Sequence, residues 1–164
     1  MDFLCEACYS DRIDLVKKFF DIIENVRPIE DLINEKEDLY GDTPLHIACI
    51  KNNLEMVKFL ISKGACVNEK NKFNKSTPLH YACFNKSIDI VHILINESKA
   101  SINEKNNYGY TPLHYACNNG NLEIVHFLIL NKANIFIKSN NGQFPLDYLN
   151  KNDRIEVEKF LVEK

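Results

Sequence analysis

Histidine recurs at one position of a repeated motif, at His46, His80 and His114. Imidazole can bind a metal ion or act as a general base, so catalysis and metal binding are the first functions to consider. These histidines lie 34 residues apart, however, and each follows its own Thr-Pro-Leu. Repetition in register is typical of a scaffold, and we therefore interpret the three histidines as structural.

The second candidate for chemistry is the pair Cys5 and Cys8, which forms a Cys-x-x-Cys. A zinc site needs a second pair or a matching pair of histidines, and neither is present, so a metal or redox protein is the least favoured interpretation. Cys8, Cys49, Cys83 and Cys117 each follow an alanine at the same point of the repeat. Repeat register thus accounts for them as small, buried apolar residues.

No motif of a known catalytic site is present: the chain lacks GxSxG, HExxH, a glycine-rich phosphate loop and EF-hand spacing. The neighbouring carboxylates Glu35, Glu37 and Asp38 fall in an irregular connection, where we expect them to be solvated. The sequence predicts that the protein is not an enzyme and uses no cofactor.

The elements that position these side chains begin at a motif of seven residues. TPLHYAC occupies residues 77–83 and 111–117, TPLHIAC occupies 43–49, and a divergent copy, FPLDYLN, occupies 144–150, so the copies start 34, 34 and 33 residues apart. Threonine supplies a hydroxyl where the first N–H groups of a helix lack partners, and proline suits the first helical position. Leucine, alanine and cysteine then follow at helical spacing. A second apolar segment at helical spacing completes each unit.

A period in this range indicates a solenoid, in which each unit buries its apolar face against its neighbours. The motif, its period and the intervening segments resemble ankyrin repeats over nearly the whole chain. The resemblance implies an all-α solenoid of stacked helix-turn-helix pairs whose β-hairpin loops and first helices form a concave face. It also implies that the recurring histidine ties its helix start to the preceding turn and bridges neighbouring layers.

We predict a single domain over residues 1–164, with approximate repeats at 1–37, 38–70, 71–105, 106–138 and 139–164. The first and last units depart from the pattern as terminal caps do, so we expect a complete domain. Pro28 is expected to end the second helix or to open a short helical turn. In the third unit, Lys75 and Lys86 replace the glycines of other units, which predicts either backbone strain or rearranged turns.

Composition limits the class of partner. The chain carries 20 basic and 23 acidic residues, for a net charge of −3, which argues against a nucleic-acid partner. No apolar segment approaches the ~20 residues of a membrane span, and the acidic N-terminus does not resemble a signal peptide. We expect an intracellular protein, in the cytoplasm or the nucleus, that is a monomer on its own and binds another protein.

In the ankyrin family, partners are usually contacted by the hairpin tips and the exposed ends of the first helices. These positions carry many aromatic and asparagine residues, and tyrosine is a favoured interface anchor. The corresponding candidates are Leu39, Tyr40, Asp42, Ile50, Lys51, Phe73, Asn74, Ser76, Phe84, Asn85, Asn107, Tyr108, Tyr110, Asn118, Asn119, Asn140, Asn141, Gln143 and Lys151.

Two interpretations of the hairpin aromatics stay open: they contact a partner, or they pack on the neighbouring hairpin. If they contact a partner, Tyr108→Ala and Tyr110→Ala should weaken binding without loss of stability. The main alternative function is binding of a small ligand or an oligonucleotide by stacking on the aromatics, which the acidic charge disfavours. The sequence does not choose between adaptor, inhibitor, assembly chaperone and degradation receptor.

Overall fold

The computed structural model describes residues 3–23, 32–37 and 39–163, so the expected helix boundary at Pro28 lies outside the described residues. The α-helices are α1 (Phe3–Tyr9), α2 (Ile13–Ile23), α3 (Pro44–Ile50), α4 (Leu54–Ser62), α5 (Pro78–Phe84), α6 (Ile88–His92), α7 (Pro112–Asn118), α8 (Leu122–Leu130) and α9 (Lys151–Val162). A π-helix, Ile93–Glu97, continues α6, and a 3₁₀-helix, Pro145–Tyr148, precedes α9. None of the helices described has the length and apolar character needed to span a bilayer.

The helices form five helix-turn-helix units that stack in chain order. The first helices form one row, in which α1 packs on α3, α3 on α5, α5 on α7, and α7 on the 3₁₀-helix. In the second row, α4 packs on α6, α6 on α8, and α8 on α9. This arrangement confirms the predicted all-α solenoid.

Helix starts follow the chemistry that the motif predicts. Thr43 is the N-cap of α3 in extended conformation, its hydroxyl accepts from the His46 backbone N–H, and Pro44 occupies the first turn. Extended N-cap conformations recur at Thr77 and Thr111. In the fifth unit Phe144 stands at this position and only a 3₁₀-helix follows. The cap hydroxyl is absent there, because phenylalanine has none.

The core runs through the stack between the two rows of helices. Leu45, Leu79 and Leu113 of the three TPLH motifs are at most 1% exposed, and the alanines and cysteines that follow them are buried as well. Burial of one leucine side chain stabilises the fold by roughly 1.5–3 kcal/mol. Small residues at the other core positions let adjacent first helices approach closely.

The segments that join the units fold back as tight turns, which we call arms: residues 37 and 39–42, 71–76, 106–110 and 139–143. Each arm is closed by a backbone hydrogen bond between its ends, for example from Asn71 N–H to the Ser76 carbonyl at 3.0 Å. Neighbouring arms are also joined, since the N–H groups of Lys72 and Phe73 donate to the Tyr40 carbonyl. The described residues contain no β-strand, so the arms are hairpin-like turns.

The third unit keeps the backbone of its neighbours in spite of its lysines. Lys75 and Lys86 both have φ of 60°, close to the φ of 74° at Gly109 and 62° at Gly120. Of the two outcomes predicted for these positions, the structure shows a retained left-handed backbone. A side chain there costs about 1–2 kcal/mol.

The π-helix Ile93–Glu97 accommodates one residue more than the other units contain. The chain has an extra residue between Ile88 and Ile102 compared with the matching segment from Leu54 to Val67. Single π-turns are the usual way in which a helix absorbs an insertion without losing its packing. Ile93 and Leu94 stay buried as a result.

Candidate partner-binding site

One polar side chain at the start of each of the first three arms organises that arm's backbone. The Asn71 Oδ1 accepts from the N–H groups of Asn74 and Ser76 at 3.2 and 3.1 Å. Asn106 Oδ1 accepts from two arm N–H groups in the same way. Glu37 plays this part in the first arm, where its carboxylate accepts from three backbone N–H groups.

This role corrects the expectation that Glu37 is solvated, because the side chain is only 4% exposed. Burial alone would raise its pKa, but the hydrogen bonds from the Leu39, Tyr40 and Asp42 N–H groups outweigh burial and lower the pKa. Asp38 lies outside the described residues. Glu37 therefore carries a negative charge into the base of the first arm.

The recurring histidines bridge adjacent units, as the resemblance implied. His46 Nδ1 accepts from the Thr43 backbone N–H at 3.1 Å, which leaves the proton on Nε2. Nε2 then donates to the Ser76 carbonyl of the next arm at 3.0 Å. His80 makes the same pair of bonds, to Thr77 and to the Tyr110 carbonyl at 3.1 Å.

Burial fixes these histidines in the neutral form. It lowers the pKa of His46 and His80 to about 4, against the opposing effect of the hydrogen bonds to the carbonyl oxygens. The pKa of His114 is also lowered by burial. Both ring nitrogens of these neutral histidines take part in hydrogen bonds, so the residues act as structural ties between layers.

Five of the six cysteines are buried, and Cys66 is exposed. Cys5 occupies the register position of His46, and its thiol lies 4.0 Å from the Glu35 carbonyl. Burial raises the pKa of Cys49 and Cys83 above the ordinary value, which disfavours the nucleophilic thiolate. No three His, Cys, Asp or Glu side chains within the described ranges come together as metal ligands would.

A cavity of about 450 Å³ opens between the arms and the first helices, on the face that we call the arm face. It lies within the volume range of ligand and anchor pockets in proteins. Its walls come from the first four units: Tyr9, Tyr40, Asp42, Ile50, Phe73, Asn74, Ser76, His80, Tyr81, Phe84 and Tyr115.

The aromatic walls of the cavity both pack on each other and remain accessible. Tyr40 and Phe73 of neighbouring arms meet edge to face at 5.7 Å, and Phe84 meets Tyr115 at 5.9 Å. Tyr40, Phe73 and Phe84 are nevertheless 43%, 60% and 51% exposed. Packing and exposure thus coexist, which leaves apolar surface on the arm face for another molecule.

Most of the predicted partner-binding residues are exposed, namely Leu39, Tyr40, Lys51, Phe73, Phe84, Asn107, Tyr108, Asn118, Asn140, Asn141, Gln143 and Lys151. Half-buried positions are Ile50, Asn74, Asn85, Tyr110 and Asn119. The cavity brings together seven of the candidates, Tyr40, Asp42, Ile50, Phe73, Asn74, Ser76 and Phe84. A smaller cavity of about 100 Å³ between the fourth and fifth units is lined by Tyr110 and Asn118.

Two candidates lie deeper than their places at the arm tips suggested. Asp42 and Ser76 are 2% and 1% exposed. They close their arms through the backbone, since the N–H groups of Glu37 and Asn71 donate to their carbonyls. Both still line the cavity, so their side chains form part of its base rather than its edge.

Several asparagines among the candidates form hydrogen bonds between neighbouring units. Asn85 Nδ2 donates to the carbonyls of Cys49 and Ile50 at 3.1 and 2.8 Å. Asn119 Nδ2 donates to the Phe84 carbonyl, and Asn140 Nδ2 to the Asn107 carbonyl. These amides satisfy carbonyls that end a helix or an arm, where the backbone lacks a partner.

Three tyrosines line the cavity that were not among the predicted site residues: Tyr9, Tyr81 and Tyr115. Tyr9 follows Cys8 as Ile50 follows Cys49, so the repeat register would have placed it in the site had the first unit been included. Tyr81 and Tyr115 are half-buried, and both line the cavity.

Comparison with known proteins agrees with this geometry. Residues 4–106 match a family model described as ankyrin repeats (3 copies), and residues 93–149 match one described as ankyrin repeats (many copies). The chain is also 43% identical over 63 residues to the human transient receptor potential cation channel subfamily A member 1. That alignment covers 38% of this chain and 5% of the channel, so the chain spans a small part of this relative.

Ankyrin repeats are in general protein–protein interaction modules, and they are typically not enzymes. The stacked units, the histidine ties and the family matches lead to the same assignment. The chain belongs to the ankyrin repeat family.

Proposed function

We propose that this protein is an interaction module that binds a partner protein along its arm face, without enzymatic activity. The observation that carries the proposal is the aromatic cavity between the arms and the first helices. Exposed aromatic side chains around a well-formed depression are the usual anchors of protein interfaces. The residues that we assign to binding are the exposed and half-buried candidates of the arms and helices, with Tyr9, Tyr81 and Tyr115 added.

The charge of the cavity supports a protein partner over an oligonucleotide. Asp42 lines the cavity and Glu37 lies at the base of the same arm. Two carboxylates repel phosphate groups, whereas nucleic-acid sites carry lysine and arginine. Stacking of bases on Tyr40 or Phe73 would have to overcome this repulsion.

The test is affinity capture of partners from the native cell with the intact protein and with a Phe73→Ala, Phe84→Ala double variant. We expect a partner retained by the unmodified protein to be lost from the double variant, because both rings line the cavity. Phe136→Ala is the matched control, since Phe136 is 74% exposed and lies outside the cavity.

Thermal melting of each variant separates lost binding from lost folding. Both Phe73 and Phe84 are more than half exposed, so melting temperatures should change little. Retention of the same partners by the double variant would contradict the proposed binding face.

A further inference from the structure

The cavity contains a buried carboxylate without a cation. Asp42 is 2% exposed and lines the cavity. Within the described residues its carboxylate accepts one side-chain hydrogen bond, from Asn71 Nδ2 at 2.9 Å, and forms no ion pair. Buried charges in proteins are normally paired, because desolvation is costly.

Negative potential extends from this carboxylate across the cavity. Burial raises the pKa of Asp42, the hydrogen bond from Asn71 opposes the rise, and the neighbouring charge of Glu37 adds to it. The pKa of Tyr9 is raised to about 12, first by burial and then by Asp42 and Glu37. Tyr9, which also lines the cavity, therefore lies close enough to be influenced by both carboxylates.

The walls favour a cation as well. Aromatic faces attract positive charge through their quadrupoles. The Nζ of Lys51 already lies 5.7 Å from the centroid of the Tyr9 ring, although Lys51 does not line the cavity. Of the lining residues, His80 is the one that could carry a positive charge, and burial keeps it neutral near pH 7.

We propose that this cavity receives an arginine side chain of the partner protein, with the guanidinium against Asp42 and the methylene stem between the rings of Tyr40, Phe73 and Phe84. This inference rests on the proposed function, because it names the anchor that the arm face recognises. An apolar anchor could fill the same volume, but it would leave the Asp42 carboxylate buried without a cation.

Arginine suits this site better than lysine. The guanidinium is more weakly hydrated than an ammonium group, so it is less costly to bring into an apolar cavity. Its planar face stacks on aromatic rings while its N–H groups point to a carboxylate. The Asp42 oxygen that Asn71 does not bind is available as the acceptor.

The test uses blocked alanine pentapeptides with arginine, lysine, citrulline or norleucine at the central position, titrated into the isotope-labelled protein and followed by NMR. We expect the arginine peptide to shift the amide signals of Tyr40, Asp42 and Phe73. It should bind on the order of tenfold tighter than the citrulline peptide, because a charge-assisted hydrogen bond is the stronger kind. Lysine and norleucine peptides should bind more weakly than arginine.

Asp42→Asn should abolish the preference for arginine over citrulline. Asp89→Asn is the matched control, because it removes the same charge from an exposed position on α6, away from the cavity. A preference that survives Asp42→Asn would overturn the proposal. So would equal affinity for lysine or norleucine, or no binding at millimolar peptide. The peptide series on the unmodified protein gives a decision even if Asp42→Asn does not fold.

The outcome is separable from that of the proposed function. If a captured protein partner depends on Phe73 and Phe84 but the arginine peptide does not bind, the interaction module stands and the arginine anchor is wrong. If both fail, the arm face is not the binding surface.

Discussion

His46 and His80 each give one ring nitrogen to a helix start and the other to the next unit, so neither ring offers a nitrogen to a metal or a substrate. Repetition in the sequence predicted a structural role for these histidines, and the resemblance to ankyrin repeats implied the ties themselves. Glu37 was not predicted, because its side chain differs in type from Asn71 at the matching position, and the sequence does not show that both accept hydrogen bonds from the arm. The Glu37 carboxylate and the Asn71 amide oxygen both accept hydrogen bonds from backbone N–H groups of their arms.

The neutral histidines make stability depend on pH. Their pKa is about 4 in the folded protein and near the ordinary 6.5 in the unfolded chain, so the unfolded state binds more protons between these values. The free energy of unfolding should therefore have its full value above pH 6.5 and decrease as the pH drops towards 4. Each pKa unit corresponds to about 1.4 kcal/mol. Urea denaturation at a series of pH values measures this loss.

Replacement of single histidines identifies the source of the pH dependence. His80→Gln should lower stability at pH 7 and make it less dependent on pH between 4 and 6.5. His92→Gln is the matched control, because it makes the same substitution at an exposed position on α6. The same pH dependence in the His80 variant and in the unmodified protein would show that other groups are responsible.

Tyr108 and Tyr110 should respond differently to truncation. Tyr108 is 50% exposed, so we expect Tyr108→Ala to change the free energy of unfolding by less than about 0.5 kcal/mol. Tyr110 meets the rings of Tyr115 and Tyr148 edge to face, and its hydroxyl lies 3.1 Å from that of Tyr148. Tyr110→Ala should cost roughly 2 kcal/mol in urea denaturation.

Tyr110→Phe keeps the ring contacts and removes only the hydroxyl, so it should cost about 1 kcal/mol. Equal losses for Tyr108→Ala and Tyr110→Ala would contradict this division. The sequence grouped the two tyrosines as exposed, because spacing within an arm does not show which ring turns towards the next unit. For Tyr110 the structure favours the packing interpretation.

At the level of elements, helix starts were predictable and the details of length were not. Thr-Pro marks the start of α3, α5 and α7, because the cap and the first turn have strict chemical requirements. The π-helix Ile93–Glu97 escaped notice because the arm at 106–110 is one residue shorter than the arm at 71–76. The insertion and the deletion cancel, and the period of the motif stays unchanged.

The left-handed lysines of the third unit are sites where glycine should stabilise the fold. Lys75→Gly and Lys86→Gly each remove backbone strain of about 1–2 kcal/mol. Part of this stabilisation is offset, because glycine gives the unfolded chain more conformational freedom. We expect a net gain of about 0.5–1 kcal/mol for each, measured by urea denaturation. Hydrogen exchange should slow in the third unit.

Lys51→Gly is the control for these substitutions, because Lys51 follows α3 with φ of −78°. Glycine there relieves no strain and adds only entropy to the unfolded chain, so it should destabilise the protein. Destabilisation by all three glycines alike would show that the third unit is not strained.

At the scale of the whole molecule, the main contacts among the described helices join each unit to the next, so stability is divided among junctions. The repeat motif predicted this architecture from the sequence alone. It did not predict the cavity, because the cavity joins residues of four units and its shape depends on how far neighbouring arms approach each other. Tyr9 and Tyr115 reach the same space from units that the sequence separates widely.

Core truncations should differ between the middle and the end of the stack. Leu113→Ala, in the fourth unit, should cost about 2–5 kcal/mol and lower the midpoint of one cooperative transition. Val157→Ala, in α9, should instead release the last unit before the rest unfolds.

Urea denaturation distinguishes these cases, because early release of a unit lowers the slope of the main transition. Faster hydrogen exchange that is confined to residues 151–162 would identify the released unit. A single transition of unchanged slope in both variants would indicate that the stack unfolds as one body.

The histidine ties point in one direction along the chain, and this gives the stack a mechanical polarity. Every unit from the second to the fourth holds the arm that follows it, while Asp147 replaces the histidine in the fifth. The tie from His114 to the Gln143 carbonyl is the longest, at 3.4 Å. When the two ends of the chain are pulled apart, we expect the two outer junctions to open before the inner ones, because Cys5 stands in place of the histidine in the first unit and the His114 tie to the fifth unit is the longest.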